Sequence, residues 1–568
     1  MLGYLKRFSA TEKAVFGVFA LAAVVTAIVM AGRVNSYFLT EVPADGGSLH
    51  EGLIGLPHTV NPVIAVTDAD RDIASLVYAG LTRSSGGATI PDLASGWTIS
   101  PDGLTYTFEL RPGLTFQNGD PLTADDVIFT IDRIKDPALK SPHANDWAGV
   151  TATSTSPTTV VLSLKQPSSS FLAQTSLGIL PRKIWEAVSD DQFIFSQYNI
   201  QPVGAGPYRV STVDRDQGGI PTDYRLAAWG GYHAGAPHLS EIVFTFFPDS
   251  DHALDALAKG SIDSLGSLPP AAAKELATNG GEPYAVRAAP LDRVFGVFFN
   301  QNKNAALADA NVRAALDMSV DRQAIVDTVL DGYGVPVASP LPAGFDAGTT
   351  SAPVPSADLD GARALMAKSG WKYDATTGLL GKKASKKAAT TTLAFTLYTA
   401  DTPDLKAAAS MVRDAWDTLG ANVTLSILPA SDLYQSVIKP RNYDTVLFGE
   451  AVAKGSDLYA FWHSSQRNAP GLNIALYTNS KADKTLDDLR TATSTTVMDA
   501  DYAKLQSMIA ADDPAIFLYS PQFIYALPKS LRDASIGTIA SPADRFSTVA
   551  DWYMSTERVW NIFANTRS

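Results

Sequence analysis

Residues Pro91–Ile134, PDLASGWTISPDGLTYTFELRPGLTFQNGDPLTADDVIFTIDRI, carry the densest local code in the chain. Trp97 and Ile99 fall on one side of a short strand. Ser100-Pro101-Asp102-Gly103 puts proline and glycine where a tight turn prefers them. Tyr106, Phe108 and Leu110 then alternate with Thr105, Thr107 and Glu109, the period of a half-buried strand. Asn118-Gly119 marks a second turn. Thr123 caps a helix whose Val127, Ile128, Ile131 and Ile134 form one apolar stripe. The order is strand, turn, strand, turn, capped helix. Nothing in it is catalytic.

The whole chain has 568 residues, too many for one core, so several lobes are expected. Charged residues are 18% of the total, which is ordinary for a globular protein. With 45 basic and 58 acidic residues the net charge is −13. That excludes the basic footprint of a nucleic-acid binder. There are no cysteines, so disulfides, thiolate metal sites, thiol catalysis and a lipidated cysteine are excluded from this chain. No two of the seven histidines share the i, i+4 spacing of a helical metal site, and neither a metal nor a cofactor is expected.

Toward the N-terminus, Ala14–Gly32 is an uncharged run preceded by Lys6, Arg7 and Lys13 and closed by Arg33. As a helix it is about 28 Å long, enough to cross a hydrocarbon core. The preceding basic residues place residues 1–13 in the cytoplasm and the body outside. Two readings stand: an uncleaved anchor, or a signal peptide cut after Val29-Met30-Ala31. The length of the run favours the anchor. Residues 33–48 read as a polar tether.

Toward the C-terminus the topology becomes more informative. Leu393, Phe395 and Leu397 form a strand, and Leu405, Ala408, Ala409, Val412, Trp416 and Leu419 a helical stripe ending at Gly420. Val423, Leu425 and Ile427 form a second strand, Leu433–Ile438 a short helix, and Tyr443–Phe448 a third strand. This β-α-β-α-β order implies parallel strands with right-handed crossovers. Ligands of such sheets sit beyond the carboxyl ends of the strands, which here means Gly449, Glu450 and Ala451.

The opening stretch, read as P-LA--W-IS-DG-TYTF-LR-G--F--GD-LTADDV-FT, resembles the signature of the extracytoplasmic solute-binding proteins of family 5, the peptide- and nickel-type receptors of ABC importers. Three further regions resemble the family in its order. These are Asn61-Pro62 followed by Leu76–Thr82, the Pro202–Tyr208 turn (with Ala205 where threonine is usual), and Phe298–Gly332 with its VR-AL and VDR motifs. The resemblance implies a mixed α/β, type II periplasmic-binding-protein fold with three lobes around a hinged cleft. The first lobe would be residues 49–80, 204–290 and 515–568, the second 81–203 and the third 291–514.

The resemblance also implies a site. The loop after Asn61-Pro62 would face the ligand, placing Val66, Thr67 and Asp68 near the cleft. Asp68 reads equally well as a helix cap. After the third parallel strand the family has Gly-Trp and then an aspartate that receives the peptide's ammonium group. Here Glu450 replaces the tryptophan and Ala453 occupies the aspartate position, so Glu450 and then Asp457 are the acidic candidates. Trp462 either stacks on ligand or packs between lobes. Arg313 is structural. Ser319 caps a helix, and the lysines 382, 383, 386 and 387 belong to a solvated hairpin tip.

The function implied is a monomeric, membrane-anchored receptor that binds peptides by main-chain hydrogen bonds and delivers them to an ABC permease and its ATPase. An anchored sensor of the same fold is the alternative. An extracellular peptide hydrolase has little support, since G-x-S-x-G, H-E-x-x-H and P-loop motifs are absent from the sequence.

Overall fold

The computed structural model describes residues 9–168, 170–278, 283–342, 345, 354–383, 385, 389–452, 458–492 and 494–564. Helix α1 (Ala10–Tyr37) starts at a capping box, with the Ser9 and Glu12 side chains each accepting the other's backbone N–H, and none of its residues is buried. It runs through the apolar segment and into the segment expected to be a tether. Strand β1 (Leu39–Ala44) follows at once, then β2 (Ser48–Ile54). The tether is therefore ordered. Its alternating Leu39, Glu41 and Pro43 on one face and Val42 on the other give it the period of a strand, and Val42 is buried.

Helix α2 (Asp68–Val77) is capped by Thr67, whose hydroxyl accepts the Asp70 N–H. The second lobe holds the opening stretch. Strands 94–99, 105–110, 159–163 and 151–156 form a four-stranded antiparallel sheet in that order. The helix that packs on it, Ala124–Lys135, buries Val127, Ile131 and Ile134 as its stripe predicts.

The third lobe contains β3 (Arg293–Phe299), β4 (Ala394–Ala400), α3 (Pro403–Leu419), β5 (Asn422–Leu428) and β6 (Thr445–Ala451). As predicted, β4 is parallel to both β5 and β6. Helix α3 buries the predicted stripe, and Gly420 ends it at φ 114°, a left-handed conformation that suits glycine. Ser319 differs from expectation: its hydroxyl donates back to Leu316 O at the end of one helix, and Asp321 caps the next. Arg313 ties this lobe together through backbone carbonyls at Leu307, Ala308, Asp512 and Asp513. Lys382 leans over Trp371, 3.6 Å from Asp309, whereas Lys386 and Lys387 lie outside the described residues.

Strand β7 (Ala515–Pro528) joins two lobes. Its first half pairs with β3, and its second half pairs with 284–290 and 264–266 of the first lobe. The boundary expected at residue 514 therefore falls inside this strand, near Pro521. Beside it runs the other crossing, Pro290–Arg293, where the Leu291 N–H donates to Pro521 O. Strand β8 (Ser555–Trp560) then returns to pair antiparallel with β1, and a one-turn helix α4 (Asn561–Ala564) follows. One hydrophobic core fills the third lobe and a second is shared by the first two, so the third lobe is the separately packed body.

Candidate functional site: an interlobe cavity

A cavity of about 1030 Å³ is lined from all three lobes. The first lobe supplies Ala65, Arg71 of α2, Tyr232 and the segment 541–551. The second lobe supplies Arg83, Asp92, 143–150, 164–166 and 170–178. The third supplies Ala460, Phe461 and Arg490.

Why the chain can bring these segments so close is visible at the crossing between the first two lobes. A Cβ on Gly204 would strike the Val77 carbonyl oxygen, and one on Gly206 the Leu76 carbonyl oxygen. Gly80 and Gly178 are as closely packed, against Ser176 and Tyr78. The Gln117 side chain pins the crossing. Its Nε2 donates to Val77 O (3.1 Å), Gly206 O (3.2 Å) and Tyr208 O (2.7 Å), and its Oε1 accepts the Gly204 N–H (3.1 Å). The Gly-Ala-Gly turn is thus glycine-built because backbone lies against backbone.

The lining carries both signs of charge: Arg71, Arg83, Lys165 and Arg490 against Asp92, Asp146, Asp544 and Asp551. Several are already engaged. Arg71 donates to Asp68 and to Val66 O, and Arg83 to Ser547 O at 2.9 Å. Asp92 accepts from Tyr232 OH (3.3 Å) and meets His233 Nε2 at 2.6 Å. Asp544 accepts the Ala540 and Ser541 N–H groups, while burial pushes its pKa up. Burial also pushes the His143 imidazole down and the Asp146 carboxyl up, so this pair, 4.0 Å apart, is biased toward its neutral forms. The Tyr78 hydroxyl and Gln174 Oε1 are buried with no hydrogen-bond partner among the described residues, leaving polar groups in the wall. Apolar area comes from Trp147, Phe171 and Phe461. No group of three acidic or histidine side chains suited to a metal ion occurs among the described residues.

The residues expected from sequence fall differently. Thr67 is the cap of α2, Asp68 is half-exposed and paired with Arg71, and Val66 is exposed at the rim beside Ala65. Strand β6 extends three residues past Phe448, so Gly449, Glu450 and Ala451 lie inside it, opposite Phe295, Val294 and Arg293. Gly449 accommodates the Phe295 ring, and Ala451 is exposed. Glu450 is buried, and desolvation holds its pKa well above the carboxylate range, so it is not a ready anion for an ammonium group. Trp462 is fully buried among Phe298, Tyr477 and Phe517, in the core of the third lobe rather than on the cavity; its neighbours Ala460 and Phe461 are the ones that reach it. Asp457 lies outside the described residues. Most of the wall, from Arg83 and Asp92 to Arg490 and 541–551, escapes sequence reading, since it is single side chains on distant loops with no shared motif.

Known proteins share this sequence pattern and architecture. A family model described as bacterial extracellular solute-binding proteins, family 5, middle part, matches residues 88–470. The oligopeptide-binding protein AppA of Bacillus subtilis is 28% identical over 505 residues, spanning 86% of this chain and 89% of that protein. Protein XP55 of Streptomyces lividans is 28% identical over 497 residues, spanning 85% and 86%. The AppA structure, solved in complex with a nonapeptide, superposes with a TM-score of 0.69 at 26% identity, covering 90% of this chain and all of that one. CtaP of Listeria monocytogenes shares the fold at a TM-score of 0.75, with 24% identity over 90% and 99% of the two chains.

Proposed function

Because the chain belongs to the bacterial extracellular solute-binding proteins of family 5, we propose that it captures peptides in the interlobe cavity and delivers them to an ABC permease as an anchored monomer. The carrying observation is the cavity itself. Its volume of about 1030 Å³ stands at the top of the small-ligand range of about 300–1,000 Å³. Its wall mixes cationic, anionic, aromatic and unpartnered polar groups, which suits an extended, zwitterionic chain of varied side chains. The likeness to an oligopeptide-binding protein along most of both chains supports the same ligand class.

The ligand would lie between the rim at Ala65, Val66 and Arg71 and the third-lobe face at Phe461 and Arg490. Two crossings carry the third lobe relative to the first, β7 near Pro521 and the Pro290–Arg293 segment. A hinge there would close the cavity. Glu450, buried and with its pKa raised by desolvation, would stabilise the third lobe rather than hold the ligand's ammonium group. The cavity carboxylates Asp92 and Asp551 would be better placed for that group. Helix α1 would remain as the anchor, and Ala451, exposed at the end of β6, would offer main-chain contacts.

Native mass spectrometry of the full chain, extracted in mild detergent without refolding, tests this reading. The expected outcome is a ladder of adducts at peptide masses. A single adduct of non-peptide mass overturns the ligand class.

A further inference from the structure

The two ends of the chain meet at the foot of the molecule. Helix α1 continues five residues beyond Gly32, where the apolar run closes, to Tyr37, and β1 begins at Leu39. Strand β8 pairs with β1 in the register Leu39↔Trp560 to Ala44↔Ser555. The junction is locked. Trp560 Nε1 donates to Asn35 Oδ1 (3.0 Å) on the last turn of α1, and the Asn561 N–H donates to Phe38 O (2.8 Å). The Trp560 ring stacks on Phe38 at 6.3 Å, and Tyr37 meets Phe38 edge-on at 5.4 Å.

This cluster is apolar and uncovered. Tyr37 is 80% exposed, Ile562 72%, Trp560 48% and Phe38 45%. Its height is set by the helix. Phe38 lies six residues past Gly32, about 9 Å along the axis. The polar layer of a leaflet is about 5–8 Å deep, so with a tilt near 20° Phe38 stands at its outer edge. Because β8 is antiparallel to β1, it runs toward the membrane, and α4 follows it directly, packed against β1 and β8. Tryptophan and tyrosine rings with one polar edge favour this layer.

We propose that Tyr37, Phe38, Trp560 and Ile562 form a collar resting on the outer headgroup layer of the bilayer that α1 crosses, so that the receptor body is held at two points, by its anchor and by its C-terminal turn. The proposal rests on the reading of α1 as an uncleaved span. The occupant is the lipid surface rather than a second copy of the chain, because the cluster is continuous with the span and stands about one headgroup layer beyond its outer end.

The absence of cysteine makes the test direct. An Ile562→Cys variant of the full chain carries a sole thiol for an environment-sensitive fluorophore. It is reconstituted in vesicles of equal parts phosphatidylcholine and phosphatidylglycerol, with and without nitroxide-labelled lipid. A Ser431→Cys variant, exposed on the third lobe, is the reference. The expected result is a blue-shifted emission at position 562 and several-fold stronger quenching by the nitroxide lipid than at position 431. Equal quenching at both positions in a protein of intact mass overturns the collar alone. Self-quenching at position 562 between copies, without lipid quenching, overturns it in favour of a dimer. A mass lacking the first 31 residues overturns the anchor, and the collar with it.

Discussion

Glu450 shows how a single residue changes meaning between chain and fold. In sequence it stands just past a parallel strand, where ligands gather, three residues before a position where the family has an acid. The structure lengthens the strand by three residues and buries the side chain. Strand ends are set by pairing with the neighbour, here β3 on the far side of nearly 150 residues, and local sequence carries no record of that. The consequence is a pH effect. The folded-state pKa of Glu450 is raised well above its unfolded value by desolvation, so its stabilising contribution is complete below about pH 4 and is lost as pH rises toward the folded-state pKa. The loss is about 1.4 kcal/mol per pH unit across that window. Glu450→Gln mimics the neutral carboxyl. We expect its melting temperature to match the wild type near pH 4 and to exceed it at pH 8, with peptide affinity unchanged; thermal unfolding across that range checks the first and calorimetric titration the second.

Elements with strong periodicity were legible in advance: the strand Thr105–Leu110 of the second lobe, the stripe of Ala124–Lys135, and the β4-α3-β5-β6 unit with its terminal glycine. Periodicity reports which face is buried, and these elements bury one face against a neighbour close in sequence. The resemblance implied the Pro202–Tyr208 turn as the return from the second lobe to the first, but not why its glycines are needed there. That need comes from carbonyls of Leu76 and Val77, more than 120 residues away. Gly206→Ala is therefore expected to destabilise the protein by about 1–3 kcal/mol, because the atoms it strikes are backbone and cannot rotate aside. Gly96→Ala, with open space around the new Cβ, is expected to be near neutral. Comparing the two denaturant midpoints checks the prediction.

On the scale of the whole molecule, the fold class followed from motifs, while the cavity wall did not, because it is assembled from side chains on distant segments. One group shows how the far ends of the chain are held. Arg545 is fully buried between Glu51 of β2 and Asp72 of α2, at 3.0 and 2.7 Å, with its guanidinium 4.1 Å from the Phe546 ring centre. Tyr525 OH and Ser264 complete the cluster on Glu51. Burial raises the Asp72 pKa to about 6 even beside the arginine. Arg545→Met leaves two buried carboxylates unpaired and is expected to cost about 3–5 kcal/mol. The cost should be smaller at pH 5, where Asp72 can take up a proton, than at pH 8; chemical denaturation at the two values checks both size and sign.

The β1–β8 ribbon has a consequence for the order in which the protein is made. Thr40 and Asn561, bonded across its base, are 521 residues apart. Translation delivers β8 more than 500 residues after β1, so β1 keeps an open edge until the intervening lobes have been synthesised. Its partner arrives when the three lobes have had time to fold, since domains fold largely as they emerge. Seating of β8 beside β1 then closes that edge, and a chain that has not yet made β8 is distinguished by an unpaired strand.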